Sequence, residues 1–312
     1  VLFIYGAGRQ MGGGYSGLWI RQLLWIGLGL GTATAVLSVD YRKLGRYSWV
    51  FYLAGTILLV LVLLIAREIN GALSWLAFGG LTLRPAELVK PATMLGLSWV
   101  VSRPGIRMER GDRLLLLIVL TGIPVALIGK QPDYGTALVF LPIGGALLFL
   151  GGVRWRWIVG AALAITLLAP ALYRYGLAPH QRERIQTFLQ PTEDIANAGW
   201  NAHQSMLAVG SGGLMGKGYM QGTQYVLGYL PRTVASTDFI FSVLAEETGF
   251  IGTGAVLMAF LGIVLCCLRA ATVASDAFGA YIAAGVAVMI TVHVFVNVGM
   301  TIRVAPIIGI PL

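Results

Sequence analysis

The sequence predicts an all-α polytopic integral membrane protein, and three observations carry that reading. Only 11% of its 312 residues are charged and 57% are hydrophobic, against about 25% charged in a soluble globular chain. Apolar runs of spanning length, about 20 residues, recur from end to end. Basic residues gather in alternate short connections between those runs.

The spans fall roughly at 1–8 (partial), 17–38, 48–66, 85–102, 113–129, 134–152, 155–173, 238–268 and 276–302, with breaks at charged or Gly/Pro-rich clusters. The last two are long enough to tilt or to extend past the hydrocarbon. Val1–Gly8 is too short to cross alone and opens without a basic leader, so no cleavable signal peptide is expected. The chain stops at Gly309–Leu312, so both ends are expected to be incomplete. The whole, residues 1–312, reads as one transmembrane domain.

One set of connections holds Arg42, Lys43 and Arg46, then Arg103, Arg107, Arg110 and Arg113, then Arg154 and Arg156, then Arg269. Short basic loops face the cytoplasm. The other set, comprising 67–84, the Lys130–Tyr134 turn and the long 174–237 segment, therefore faces outward. The net charge of +9 lies between spans rather than on a polar domain, so it serves orientation and anionic lipid, not nucleic acid. About sixty residues without a span is long for a connection. That segment mixes Trp200, Tyr219 and Tyr225 with glycine turns, and is expected to fold over the membrane surface.

Chemistry-bearing residues collect on the outward side. Asp238 stands at the mouth of the 238–268 span, with Glu246 and Glu247 inside it. Each ionised side chain there costs roughly 2.5–3.5 kcal/mol on insertion scales, and the chain has only 13 acidic residues. Asp238 follows Ser236 and Thr237, so it either caps the helix or acts as a general base reachable by a polar substrate. Glu246, about 12 Å further along the axis, cannot share a reacting atom with it. Glu246 and Glu247 read as structural ion-pair partners of basic residues on neighbouring helices.

Arg84, Glu87 and Lys90 lie at i, i+3 and i+6 behind Pro85, near one helix face. They form either an internal ion-pair network or, through Lys90 and Arg84, a diphosphate contact. Lys130 and Asp133 flank the turn KQPDYGT and invite the same two readings. The polar run Gln204–Gln224 supplies Gln204, Ser205, Lys217 and many glycines for a ligand. Its GSGGLMGKG (Gly210–Gly218) fails the phosphate-loop pattern, with Ser211 in place of the first glycine and Gly218 after the lysine. Its backbone amides could still cradle a phosphate. The adjacent Cys266 and Cys267, and His180, His203 and His293, have no metal-ligand spacing.

These motifs, in order along nearly the whole chain, resemble the SEDS family (shape, elongation, division and sporulation). They are REINGALSW (Arg67–Trp75), LRPAELVK (Leu83–Lys90), KQPDYGTAL (Lys130–Leu138), RERIQTFLQP (Arg182–Pro191), GSGGLMGKG with GTQ (Gly222–Gln224), TDFIFSVLAEETGFIG (Thr237–Gly252) and NVGM…PIIGIPL (Asn297–Leu312). The GTQ and AEE variants look like the elongation branch. The resemblance implies about ten transmembrane helices in a bacterial inner membrane, with nine visible here, and an active site facing the extracytoplasmic side. It also implies an inverting glycosyltransferase that polymerises lipid II into glycan strands, with a class B penicillin-binding protein as partner. The family's catalytic acid maps onto Asp238 through TDFIF. Arg232 and Ser236 depart from the acidic residue and the histidine that many relatives carry there.

Lys90, Lys130 and Arg84, and more weakly Lys217, are then the cations expected to stabilise a polyprenyl diphosphate leaving group. Glu87, Asp133, Gln204 and Ser205 complete the expected substrate contacts. No all-protein metal site is expected, though carboxylates beside a diphosphate could hold Mg²⁺ or Mn²⁺ through substrate oxygens. A lipid II flippase or a non-catalytic scaffold are the alternatives. Polar residues spread over both leaflets would favour the flippase, whereas here they crowd one side.

Overall fold

The computed structural model describes residues 2–11, 17–69, 72–78, 81–103, 111–176, 182, 185–186, 188, 198–230 and 238–307. His180, Glu183, Arg184, Arg232, Ser236, Thr237 and the end of the PIIGIPL motif lie outside them. The helices are α1 (Leu2–Met11), α2 (Leu18–Leu37), α3 (Tyr41–Ile65), α4 (Pro85–Ser102), α5 (Gly111–Lys130), α6 (Tyr134–Leu150), α7 (Trp155–Ala171), α8 (Ala198–Ser211), α9 (Thr223–Val226), α10 (Ile240–Val273) and α11 (Ala277–Thr301). Each expected span meets one of them. Four helical stretches, Trp19–Leu37, Tyr41–Ile65, Ile240–Val273 and Ala277–Thr301, are long and apolar enough to cross a membrane, and α5 to α7 contribute shorter apolar helices.

Three features differ from the sequence reading. The 67–84 connection carries a small antiparallel meander of β1 (Arg67–Ile69), β2 (Ala72–Phe78) and β3 (Leu81–Leu83). Asn70-Gly71 and Gly79-Gly80 between the strands are dipeptides typical of two-residue hairpin turns, a signal that hydropathy passes over. The 174–237 segment contains α8, a helix of 14 residues. The third span begins at Tyr41 rather than 48, because the Asp40 carboxylate accepts the Arg42 amide (2.9 Å) and caps the helix early.

The chain divides into two compact units. One comprises 1–39, 181–262 and 293–312, and the other 40–180 and 263–292. In the second unit α3 and α4 pack through small residues. A Cβ on Gly45 would lie 2.7 Å from the Trp99 ring, and one on Gly55 would touch Val89. Lipid offers no hydrophobic drive between helices, so close backbone approach of this kind supplies the packing. Leu59, Ala86, Val89, Ile128, Ala137 and Phe140 form its core. Pro124 inside α5 has no amide for the Leu120 carbonyl, and the Tyr52 hydroxyl donates to that carbonyl instead at 2.9 Å. Ahead of α11, Asp276 accepts from the Gly279 amide (2.7 Å), Arg42 Nε (2.9 Å) and Tyr41 Oη (3.0 Å).

In the first unit the determining feature is a break in α10. Gly249 sits at φ 66° and ψ −164° inside the helix, a conformation that favours glycine. In an unbroken helix the amides of Phe250 and Ile251 would donate to the carbonyls of Glu246 and Glu247. Here all four groups bond the 212–218 glycine loop. Phe250 N donates to Gly213 O (2.8 Å) and Ile251 N to Leu214 O (3.1 Å), while Glu246 O and Glu247 O accept from the amides of Lys217 (2.9 Å) and Gly218 (3.0 Å). The approach leaves no room for side chains: a Cβ on Gly212 or on Gly216 would lie 2.1 Å from the Ala245 or Glu247 carbonyl oxygen, respectively.

Two outcomes follow from this packing. Gly216→Ala, at φ 77° and against the Glu247 carbonyl, abolishes the folded, monodisperse protein in size-exclusion chromatography. Gly213→Ala, at φ 58° with open space around it, loses only about 1–2 kcal/mol and stays folded. For Asp276, burial opposes ionisation, but the Gly279 amide, Arg42 and Tyr41 outweigh it and hold the carboxyl below the ordinary carboxylate value. A depressed carboxyl contributes stability above its unfolded value and loses it as pH falls through the folded one. Asp276→Asn therefore lowers the unfolding temperature modestly at neutral pH, and the gap to wild type narrows below about pH 4.

Candidate active site

Asp238 is partly exposed and sits immediately before α10. The next residue, Phe239, is fully buried and packs with Leu230 and Val243, flanked by Val226 and Ile307. The first bonds of α10 run to the Phe239 carbonyl, from the amides of Ser242 (3.0 Å) and Val243 (3.4 Å). The Phe239 carbonyl is thus the first acceptor of the helix. Asp238 is thus a carboxylate at the rim of a membrane helix, anchored by an aromatic neighbour.

Two turns deeper, Glu246 is wholly buried. Its Oε1 accepts from Lys217 Nζ (2.6 Å), Thr223 N (2.7 Å), Thr223 Oγ1 (3.0 Å) and Gln224 N (3.1 Å), and its Oε2 from Gln224 N (3.3 Å). Lys217 Nζ also donates to Thr223 Oγ1 at 2.7 Å. A buried carboxylate is costly unless paired and hydrogen-bonded, and here it is both. The ion-pair partner is a lysine on the glycine loop, not a residue of a neighbouring helix. Glu247 is also buried, and its carbonyl joins the exchange described above.

This arrangement corrects two expectations. The amides of Lys217 and Gly218 serve α10, the Gly216 amide donates to Gly212 O (2.8 Å), and those of Thr223 and Gln224 serve Glu246. These amides are committed internally and are not available to a phosphate. Ser205, expected to touch substrate, has no exposed surface. Its hydroxyl meets Ser242 Oγ (2.5 Å) and donates to Thr301 O (3.0 Å), tying α8 to α10 and to the end of α11. Gln204 is likewise buried. Hydroxyl pairs of this kind carry no spacing signature, so Ser242 and Thr301 were not among the residues read from the sequence.

The second unit holds the other polar cluster. Arg84 Nη2 pairs with Asp133 Oδ2 (2.5 Å) and its guanidinium lies 5.7 Å from the centre of the Trp75 ring. Asp133 Oδ1 caps α6 through the Thr136 amide (3.3 Å), so one carboxylate fixes the helix start and holds the arginine. Glu87 and Lys90 pair at 2.7 Å, with Lys90 only 1% exposed and Glu87 35%. Gln131 Nε2 donates to Leu59 O (3.1 Å) and fastens the intervening turn to α3. Lys130, beside it, is exposed and forms no ion pair with a described residue. Among the described residues no group of three His, Cys, Asp or Glu could hold a metal ion.

Comparison with known proteins places this geometry in a family. A family model described as cell cycle protein, covering FtsW, RodA and SpoVE, matches residues 3–312. The peptidoglycan glycosyltransferase MrdB of Escherichia coli K12 is 34% identical over 299 residues, which cover 95% of this chain and 79% of that protein. The peptidoglycan glycosyltransferase RodA of Treponema pallidum is 31% identical across 100% of this chain and 88% of its own. A solved structure concerned with coordination of polymerization and crosslinking by a peptidoglycan synthase complex superposes with a TM-score of 0.79 at 31% identity, covering 94% of this chain and 81% of that one. The rod shape determining protein RodA of Thermus thermophilus superposes with a TM-score of 0.70 at 27% identity, covering 100% and 84%. The family model spans almost the whole sequence and the relatives are matched over most of their own lengths, so the chain belongs to the FtsW/RodA/SpoVE cell cycle proteins, the SEDS family whose motifs it carries.

Proposed function

We propose that this protein is a peptidoglycan glycosyltransferase that polymerises lipid II at the outer face of a bacterial inner membrane, with Asp238 as general base. The observation that carries the assignment is the placement of Asp238: partly exposed at the start of a broken membrane helix, inside the TDFIF motif. The Asp238 carboxylate takes the proton from the sugar hydroxyl of the incoming lipid II. The hydroxyl oxygen bonds to the anomeric carbon of the growing strand from the face opposite the diphosphate. The anomeric carbon–oxygen bond to the polyprenyl diphosphate breaks, and the configuration inverts.

Negative charge then develops on the diphosphate, and a fixed cation near it lowers the barrier. Lys130 is the first candidate, because it is exposed and not committed to an ion pair with a described residue. Arg84 and Lys90 are engaged with Asp133 and Glu87 and stand second. Lys217 serves Glu246 and stands last. A divalent cation, if one takes part, would bind through the substrate's diphosphate oxygens rather than an all-protein site. The relative studied as a peptidoglycan synthase complex supports a crosslinking partner, which we take to be a class B penicillin-binding protein.

General-base catalysis contributes about 10²–10⁴-fold. Asp238→Asn therefore lowers lipid II polymerisation by about that factor with the partner's transpeptidation blocked, while the unfolding temperature stays at the wild-type value. Asparagine turnover at the wild-type rate would remove the assignment. Lys130→Met loses about tenfold in kcat/KM, the order of one charge-assisted hydrogen bond, measured on the same polymerisation.

A further inference from the structure

Glu246 lies about 12 Å from Asp238 along the helix axis, too far to touch the reacting atoms. A continuous set of contacts nevertheless joins the two. The Glu246 carboxylate holds the amides of Thr223 and Gln224, at the head of α9. From there the Gln224 carbonyl accepts the Leu230 amide at 2.9 Å, and the Thr223 carbonyl accepts the Leu227 amide at 3.0 Å. The 223–230 segment is thereby closed into one turn. Two of its side chains, Val226 and Leu230, pack on Phe239 and Val243. Phe239 is next to Asp238, and its carbonyl accepts the first bonds of α10.

We propose that Glu246 is a positioning residue for Asp238: its carboxylate fixes the 223–230 turn, and that turn forms the apolar seat that holds Phe239 and so orients the neighbouring carboxylate. The proposal rests on the reading of Asp238 as the base. Glu246 lies on α10 and Phe239 directly precedes its first residue, both ahead of the Gly249 break, so the helix sets the spacing between them and the turn sets the orientation. Lys217 is part of the same device, because its ammonium bridges Glu246 Oε1 and Thr223 Oγ1. The pair is therefore a clamp on the turn rather than a diphosphate site.

The test compares wild type, Glu246→Gln and Thr223→Val, each full-length and with the crosslinking partner, in two measurements. One is lipid II polymerisation with transpeptidation blocked, resolved into kcat and KM. The other is the rate at which a water-soluble carbodiimide labels Asp238, read by peptide mass spectrometry without substrate. Thr223 is exposed, so the isosteric valine removes the hydroxyl shared by Lys217 and Glu246 without threatening the fold, and it decides the matter alone if Glu246→Gln does not fold. A misplacement near 1 Å costs about 10²-fold. Glu246→Gln is accordingly expected to lose about 100-fold in kcat with little change in KM, and Thr223→Val a smaller fraction in the same direction. In both variants Asp238 is labelled faster than in wild type. Unchanged labelling overturns the positioning role whether or not turnover falls. Faster labelling with wild-type kcat overturns it too. Because labelling needs no turnover, an active Asp238→Asn protein would remove the base assignment and leave the linkage between Glu246 and Asp238 to be judged separately.

Discussion

The exchange of four backbone hydrogen bonds at Gly249 is the constraint on which the first unit depends. A break inside a membrane helix exposes two amides and two carbonyls, each costing several kcal/mol if left unmet in hydrocarbon. Irregular backbone survives within a membrane only where protein covers it or where it lines a water-filled cavity. The glycine loop provides that cover with matched groups: two carbonyls for the two amides, and two amides for the two carbonyls. The match requires backbone to meet backbone, which is why Gly212, Gly216 and Gly249 each lack room for a Cβ. Once the loop is in place, Lys217 is delivered to Glu246, and the buried carboxylate has its counter-ion. Gly212 and Gly216 are thus required by the helix break itself.

The second unit solves a similar problem with side chains. Asp133 caps α6 and holds Arg84, Gln131 reaches back to the Leu59 carbonyl, and Tyr52 meets the carbonyl left open by Pro124. Asp133 does two things and Tyr52 replaces a missing bond, as expected where water is not at hand to complete the hydrogen bonding. Lys90 is buried against Glu87 for the same reason. Of the four cations read as diphosphate contacts, Arg84, Lys90 and Lys217 are each in an ion pair, whereas Lys130 is exposed and forms none with a described residue.

The sequence was most legible where hydropathy decides structure. The spans from α2 to α11 follow from apolar runs and their charged interruptions, and Pro85 marked the start of α4. Legibility fell where hydrogen bonding decides. The meander at 67–83 is too short for a hydropathy window, although Asn70-Gly71 carried its signal. The break at Gly249 leaves α10 apolar on both sides, so the pattern reads straight through it. Among the candidate residues, the pairing of Arg84 with Asp133 spans 49 positions, and no periodicity relates a loop lysine to Glu246. Spacing showed the local pair of Glu87 and Lys90, but not the partners that lie far off in the chain.

The three acids of the 238–268 span illustrate how burial divides chemical labour. A carboxylate has room for about four hydrogen bonds, and Glu246 receives Lys217, Thr223 twice and Gln224 from within the protein. With no exposed surface and its Oε1 committed to Lys217, Thr223 and Gln224, it has no access to a substrate hydroxyl without dismantling the turn it organises. Glu247 is buried beside it, and its backbone is tied into the helix break. Asp238 alone combines partial exposure with a rigid anchor, the buried Phe239 one residue along. A base needs both properties: access to the hydroxyl it deprotonates, and an orientation fixed before substrate arrives. The interior acids give the fixed orientation, and the rim acid has the access.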